Sequence, residues 1–487
     1  MNTFVSSAHN ESKWTKTANN ADALNTTGSA LLDLFAQIGA LRTQDYQTVA
    51  TMFAKAFSED PLLATKMAFY ARNVRGGLGE RKVFRYLLGY LATYESDVLN
   101  KNMHLIPKFG RWDDLYTLVG TKCEDKMWKL IENQFQQDLR DMKAGKPVSL
   151  LAKWLKSVNT SSEQSRKLGK LTAKKFGLSE KTYRKAVSWL RKHINITERL
   201  MCDKEFRSID YEKVPSLAMN RYRKTFYKRD EVRFTDFISK VKSGEKKIKA
   251  ATLYPYDIVE KIIYQSEKSD VLEAQWNALP NYVEGENNML VMADVSGSMT
   301  GRPMATSVGL ALYFAERNKG AFSNLFMTFS AQPQFVFIKG KNLFEKIHFI
   351  RNAHWQQNTD FELAMEEILR LAVQNNVPQE DMPKSLIVIS DMQFDQAKGY
   401  YSRAKETHLD IAKQKFEAAG YTMPKLIYWN CSNWVADTHQ ASQDDNVQFI
   451  SGQSASAFKT LIRGRSLSAY ELMLSALNDE QYAEVTV

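Results

Sequence analysis

The sequence predicts two folds in series: an all-α helical module, then an α/β doubly wound domain. Three observations predict it. Between residues 31 and 285, apolar residues recur at spacings of three and four, and strand signals are nearly absent. From Met289 onward, short apolar runs alternate with helical patterns, as in a parallel sheet with crossover helices. Between the two lies a polar stretch, residues 281–288 (NYVEGENN), which sets the boundary at about 286.

Taken in order, residues 1–30 are rich in Asn, Thr, Ser and Ala and are expected to form a flexible leader. Helices follow at DLFAQIGALR, TVATMFAKAF, ATKMAFYARNV and KVFRYLLGYLATY. They are separated by Asp60-Pro61, by Gly76-Gly77-Leu78-Gly79 and by Phe109-Gly110. Stacked helix pairs, as in a solenoid, are the simplest reading. Residues 147–285 continue with SLLAKWLKSV, TYRKAVSWLRKHI and DIVEKIIYQ, the last stretch interrupted by Pro255.

The second domain, 286–487, opens with the buried strand 289–295 (MLVMADV). Pro303 can start the next helix, whose inner face carries Met304, Val308, Ala311, Leu312 and Ala315. Strands are expected at 325–329, 335–338, 386–389 and 426–429. A helix over 361–375 presents Phe361, Met365, Ile368, Leu369 and Ala372 on one side.

Open α/β sheets bind ligands at the carboxyl ends of their strands. Asp294-Val-Ser-Gly-Ser298 stands at such an end, Asp391 follows another strand, and Thr359 precedes a helix. Hydroxyls at Ser296, Ser298 and Thr359, with carboxylates at Asp294 and Asp391, form an oxygen set suited to a hard cation. Mg2+ wants about six oxygens and keeps several waters; Mn2+ and Ca2+ are the alternatives. Asp360 and Asp395 can serve as outer groups. Read alone, the Asp294–Ser298 run is also an ordinary helix cap and tight turn.

The run DVSGSM, then Thr359, then SDMQFD resembles the metal-ion-dependent adhesion site of von Willebrand A domains, over roughly residues 286–450. The resemblance implies a Rossmann-like sheet and a cation that seeks an acidic ligand from outside. In the helical half, Ala71-Arg-Asn-Val-Arg75 with GGLGERKVFRYLL, and then Ile106 to Leu115 (IPKFGRWDDL), resemble TROVE-module proteins of the Ro ribonucleoprotein type. With the tail SAYELMLSALNDEQYAEVTV, they look closer still to an uncharacterised family of TROVE relatives that ends in the same A domain. This resemblance implies a ring or horseshoe of HEAT-like helix pairs clasped by the A domain. It also implies binding of small structured RNAs and of defective RNA ends.

Composition narrows the class. Hydrophobic residues make up 44% and charged residues 25%, a globular balance. No apolar run is long enough to span a bilayer and the start lacks a signal-peptide core, so a cytoplasmic protein is expected. Cys123, Cys202 and Cys431 are isolated, with no CxxC pair.

The net charge of +11 is concentrated: residues 151–250 hold 27 Lys and Arg against 11 Asp and Glu, a net of +16. Residues 286–487 hold 18 against 22, a net of −4. An anionic partner for the central segment follows, and RNA is the expected one; no DNA specificity is evident. Arg221, Tyr222, Arg223, Lys224, Lys228 and Arg229 lie in a run of five cations and three aromatics. Arg184, Lys185, Arg191, Lys192 and His193 surround Trp189, and RKLGKLTAKK (166–175) adds a third cluster. Each can equally be a solvated helix face with the aromatics behind it. Arg72, Arg75, Arg81 and Lys82 flank the Gly-rich bend, where phosphate contact and helix capping are equal readings.

No P-loop, GxSxG elbow or HExxH pattern is present, so no enzyme is expected. The alternatives to RNA binding are a metal-dependent protein adaptor and, third, a metal-dependent nuclease.

Overall fold

A computed structural model describes residues 12–194, 196–283, 288–329, 332–352, 360–395, 406–433, 438–464 and 466–487. By contacts the chain divides into two compact units. One comprises residues 1–83 with 250–483, the other 84–249 with 484–487.

The first unit is built on a six-stranded sheet. Its strands are β1 (Met289–Asp294), β2 (Leu325–Phe329), β3 (Gln334–Phe337), β4 (Ser385–Ser390), β5 (Lys425–Asn430) and β6 (Val447–Ser451). The spatial order is β3-β2-β1-β4-β5-β6, all parallel except the edge strand β3. Every residue of β1, β2, β4 and β6 is buried, as expected for a sheet covered on both faces. Val291, Ala293, Ile387, Ile389 and Trp429 join one core with helices Pro255–Gln265 and Arg302–Arg317. On the opposite face Tyr428 stacks with Phe449 and meets Phe361 and Phe394. The chain leaves β1 toward β2 on one side, while β4 flanks it on the other. That reversal opens a crevice at the carboxyl ends of β1 and β4.

The α/β doubly wound expectation is met, and the strands lie within a residue of their expected places. Four readings change. Residues 14–24 are not a loose leader: Trp14–Lys16 and Asp22–Leu24 pair as a hairpin, and Leu24 bridges His439. Polar residues here satisfy sheet-rim groups rather than water, which is why composition misled. Helices Ala30–Gln37, Tyr46–Glu59 and Pro61–Arg72 belong with the sheet, so this unit is not confined to 286–487. Pro255 does not interrupt a helix but starts one, Pro255–Gln265. The strand Val447–Ser451 was missed because Gln448, donating to the carbonyls of Gly464 and Leu467, is buried.

Helix Ala30–Gln37 packs on β6 through a very close approach. Ser451 Oγ donates to the Phe35 carbonyl (2.8 Å) and accepts from Gly39 N (3.0 Å). A Cβ on Gly39 would lie 2.5 Å from the backbone at 451–452. Gly39→Ala is therefore expected to cost about 3 kcal/mol, read as a lowered thermal midpoint. An unchanged midpoint would contradict this crossing.

The Gly-rich bend is another packing device. Gly77 N and Gly79 N donate to the Asn73 carbonyl, Leu78 N to that of Tyr70, and Glu80 N to that of Ala71. Arg75 N and Gly76 N donate to Asn73 Oδ1. These amides are consumed internally and cannot cradle phosphate. Arg72 is buried, and Glu80 takes a bidentate ion pair from Arg42.

Partly buried Asp257 accepts from Tyr254 N (2.9 Å) at the start of helix Pro255–Gln265, and burial pushes its carboxyl up to about 6. A carboxyl raised on folding stabilises fully below its unfolded value and loses that contribution as pH climbs through the folded value. Wild type should thus lose stability relative to Asp257→Asn between about pH 4 and 6, with a constant difference above. Melting both proteins across pH 4–8 checks this.

The second unit contains helices and no strand among its described residues, with helices from Ser96–Asn102 to Glu231–Lys242. Helix Glu124–Lys143 buries Met127, Trp128, Ile131 and Phe135, and Phe135 packs with Phe176 and Tyr183. Tyr211 gathers Phe226, Phe234 and Phe237. The C-terminal residues tie in here: Asn102 Nδ2 donates to the Thr486 carbonyl, and Thr486 N to Asn102 Oδ1. Among the described residues no helix is long and apolar enough to cross a membrane.

Candidate metal centre and basic helical face

In the sheet unit, β1 ends at Asp294 and β4 at Ser390, side by side at the crevice. The chain after β1 turns tightly, with Ser296 N donating to Asp294 Oδ1 (2.9 Å). A single 3-10 turn, Gly297–Met299, then brings Ser298 back, so that the Ser296 and Ser298 hydroxyls lie 3.1 Å apart. After β4, Gln393 N donates to Asp391 Oδ1 (3.1 Å), and Met392 takes a left-handed φ of +62°. Such a conformation is costly for methionine and persists only where its surroundings enforce it. Here the N-terminal segment braces the loop: Thr17 Oγ1 donates to the Phe394 carbonyl, Ala18 N to Gln393 Oε1, and Asn19 Nδ2 to the Gln393 carbonyl.

Asp294 and Asp391 are fully buried and close enough to repel. Burial first, and then the Asp391 charge, pushes Asp294 up to about 7; burial also raises Asp391. Ser390 Oγ donates to Asp294 Oδ2 (2.5 Å), and the nearby Ser298 hydroxyl works against the upward push on Asp391. Asp391 Oδ2 is buried with no hydrogen-bond partner among the described residues. A buried carboxylate oxygen left bare is expensive, and a cation would satisfy it. Among the described residues no three His, Cys, Asp or Glu gather into a metal-type cluster. The oxygen set is thus two carboxylates with hydroxyls, which suits Mg2+ better than a thiolate- or imidazole-seeking metal.

The structure brings together Asp294, Ser296, Ser298 and Asp391; Thr359 lies outside the described residues. Asp360, next to it, caps helix Phe361–Gln374 by accepting from Leu363 N. Sequence reasoning missed Ser390 and Cys431. Ser390 is readable in hindsight as the hydroxyl beside Asp391 in the same strand-end dipeptide. Cys431, whose thiol burial and both carboxylates push up, offers no sequence signal.

In the helical unit, helix Glu180–Ile194 buries Tyr183, Ala186, Val187 and Leu190 and exposes Arg184, Lys185, Trp189 and Lys192. Trp189 is 59% exposed, unusual for so large an apolar ring. Lys185 and Lys192 stand four residues before and three after it, on the same face. Arg191 is different: half-buried, it donates to the carbonyls of Ala152 and Leu155 and to Ser157 Oγ.

On helix Ser216–Arg229, Arg221, Lys224, Lys228 and Arg229 are exposed, whereas Arg223 is buried and hydrogen-bonds Asn220. Arg223 shares the inner face with Met219 and Phe226, so the expectation that it reaches RNA is corrected. Tyr222 is partly buried, edge-on to Phe226. In the 166–175 cluster, Lys167, Lys170 and Lys175 pair with Glu163, Glu180 and Glu124.

Fold and sites together define a two-unit chain: a doubly wound α/β unit with an oxygen-lined crevice, and a helical unit with a cationic face. Residues 17–148 and 148–289 match the family model described as domain of unknown function DUF2828, and 288–485 match that of domain of unknown function DUF7788. The DUF2828 match covers more than half of the chain, and the chain belongs to that family. The uncharacterized protein L728 of Acanthamoeba polyphaga mimivirus is 26% identical over 500 residues, spanning 95% of this chain and 86% of that protein. The crystal structure of the Deinococcus radiodurans Ro (RSR) protein is similar at a TM-score of 0.47 and 14% identity, covering 89% of this chain and 99% of that one.

Proposed function

We propose that this is a cytoplasmic RNA-binding protein of Ro/TROVE-like type, acting by binding rather than catalysis. Its helical unit captures small structured or defective RNA on a cationic face. Its sheet unit is a von Willebrand A-type domain that holds a divalent cation, Mg2+ first, through Asp294, Ser296, Ser298, Thr359 and Asp391.

The observation that carries the RNA reading is Trp189, exposed between Lys185 and Lys192 with Arg184 beside them. Cations neutralise phosphates while an exposed indole stacks on a base, a pairing that single-stranded RNA rewards. The charge of residues 151–250 supports it. The cation reading is supported by the bare, buried Asp391 Oδ2 beside two facing serine hydroxyls. With the serine hydroxyls as direct ligands and Asp294 or Asp391 acting through water, a bound cation would stay electrophilic toward an acidic ligand, and Ser298 stands exposed at the rim.

Filter binding of the full chain to structured and single-stranded RNA tests the first reading. Binding at low salt is expected; no binding to either RNA at 50 mM salt would leave the metal-dependent protein adaptor as the better account. Chelator-sensitive cleavage of the RNA would point instead to a nuclease.

A further inference from the structure

A cavity of about 760 Å3 opens beside helix Glu180–Ile194, walled by the 157–159 loop and helix Thr197–Cys202. That volume is in the range of small-ligand sites and far exceeds a lone phosphate. Its lining is strongly one-signed: Lys153, Arg184, Lys185, Arg191 and Arg199 against the single acid Glu198. Lys153 and Arg199 have carboxylate partners at Glu198 and at Asp203. Arg191 has none within ion-pair distance among the described residues; three neutral acceptors hold it instead.

A guanidinium carries five N–H groups in a planar fork. Three are used by Ala152, Leu155 and Ser157, which fix the plane and leave two to donate. Burial lowers the Arg191 pKa, so an anion here would be welcome. Arg184 lies seven residues earlier, on the same face of the helix, and also lines the cavity. Val158, Val187 and Ile196 supply an apolar wall beside these cations. A cationic fork next to an apolar wall fits a phosphate joined to a planar ring.

We propose that this cavity takes a nucleoside phosphate, its phosphate on Arg191 and Arg184 and its base against the apolar wall. The source is a free nucleotide or the phosphorylated end of a bound RNA. The second source rests on the RNA reading above; the first does not.

The test uses the full chain, adenosine 5′-monophosphate, and a single-stranded RNA 12-mer with and without a terminal phosphate. Ser188, exposed at the cavity lining, is replaced by Trp to fill it. Cys202 also lines the cavity and is the exposed thiol, Cys123 and Cys431 being buried, so its alkylation rate reports occupancy directly. The monophosphate should slow Cys202 alkylation at least tenfold in wild type and not in Ser188→Trp. The terminal phosphate should strengthen RNA binding about tenfold, an increment lost in Ser188→Trp while affinity for the unphosphorylated RNA stays. Protection by the monophosphate with no binding of either RNA supports the cavity with a free nucleotide and overturns the RNA reading alone. Overturned is the proposal itself if both RNAs bind equally and the monophosphate leaves Cys202 alkylation unchanged.

Discussion

Asp391→Asn should abolish stabilisation by Mg2+ while raising the melting temperature of the cation-free protein. The two effects have one origin. Asp294 and Asp391 are buried together, and Asp294 is driven up to about 7 by burial and by its neighbour's charge. Making residue 391 neutral removes the repulsion, while the amide oxygen still accepts from Gln393 N. A gain of about 1–2 kcal/mol is expected in chelator at pH 8, where both carboxylates would otherwise be pressed to ionise. In wild type, Mg2+ at a hundred times its dissociation constant should add about 2.7 kcal/mol; in the variant it should add none. A purely structural pair of acids predicts the stability gain in chelator without any Mg2+ response in wild type. Thermal melts of both proteins with Mg2+ and with chelator separate the accounts.

Replacing Trp189 by Ala should weaken RNA binding by ten- to a hundredfold without lowering thermal stability. An exposed ring contributes little to the core, whereas one stacked base is worth about 1–3 kcal/mol. Neutralising Arg184, Lys185 and Lys192 together should weaken binding further and flatten its salt dependence, because each phosphate contact releases counterions. Arg223→Ala should behave in the opposite way. Its side chain is buried against Asn220, so it should lower stability and leave RNA affinity per folded molecule unchanged. Binding curves corrected for folded fraction check both. Equal losses at Trp189 and Arg223 would show that the face was wrongly chosen.

Much of the sheet unit was legible because β1, β2 and β4 are short, mostly apolar runs between helical patterns, and fully buried parallel strands read that way. The crevice residues were legible for a related reason: Asp294 and Asp391 interrupt the polarity pattern where a strand ends. What stayed hidden depends on contacts distant in sequence. Val447–Ser451 carries a buried Gln448 whose partners, Gly464 and Leu467, lie beyond the strand. The Asn- and Thr-rich segment 17–27 looks disordered until Phe394, Gln393 and His439 are there to pair with it. Charge patterning located the cationic helices but not which cations face outward. Arg191 and Arg223 are bound by carbonyl, hydroxyl and amide oxygens that spacing does not reveal.

The most direct measurement is the affinity of the full chain for a single-stranded RNA between 50 and 200 mM salt. If Arg184, Lys185 and Lys192 meet phosphates, log affinity should fall against log salt with a slope of about −2 or steeper, near −0.7 per contact. A flat line, or an RNA that does not bind at the lowest salt, would contradict the cationic face as an RNA surface.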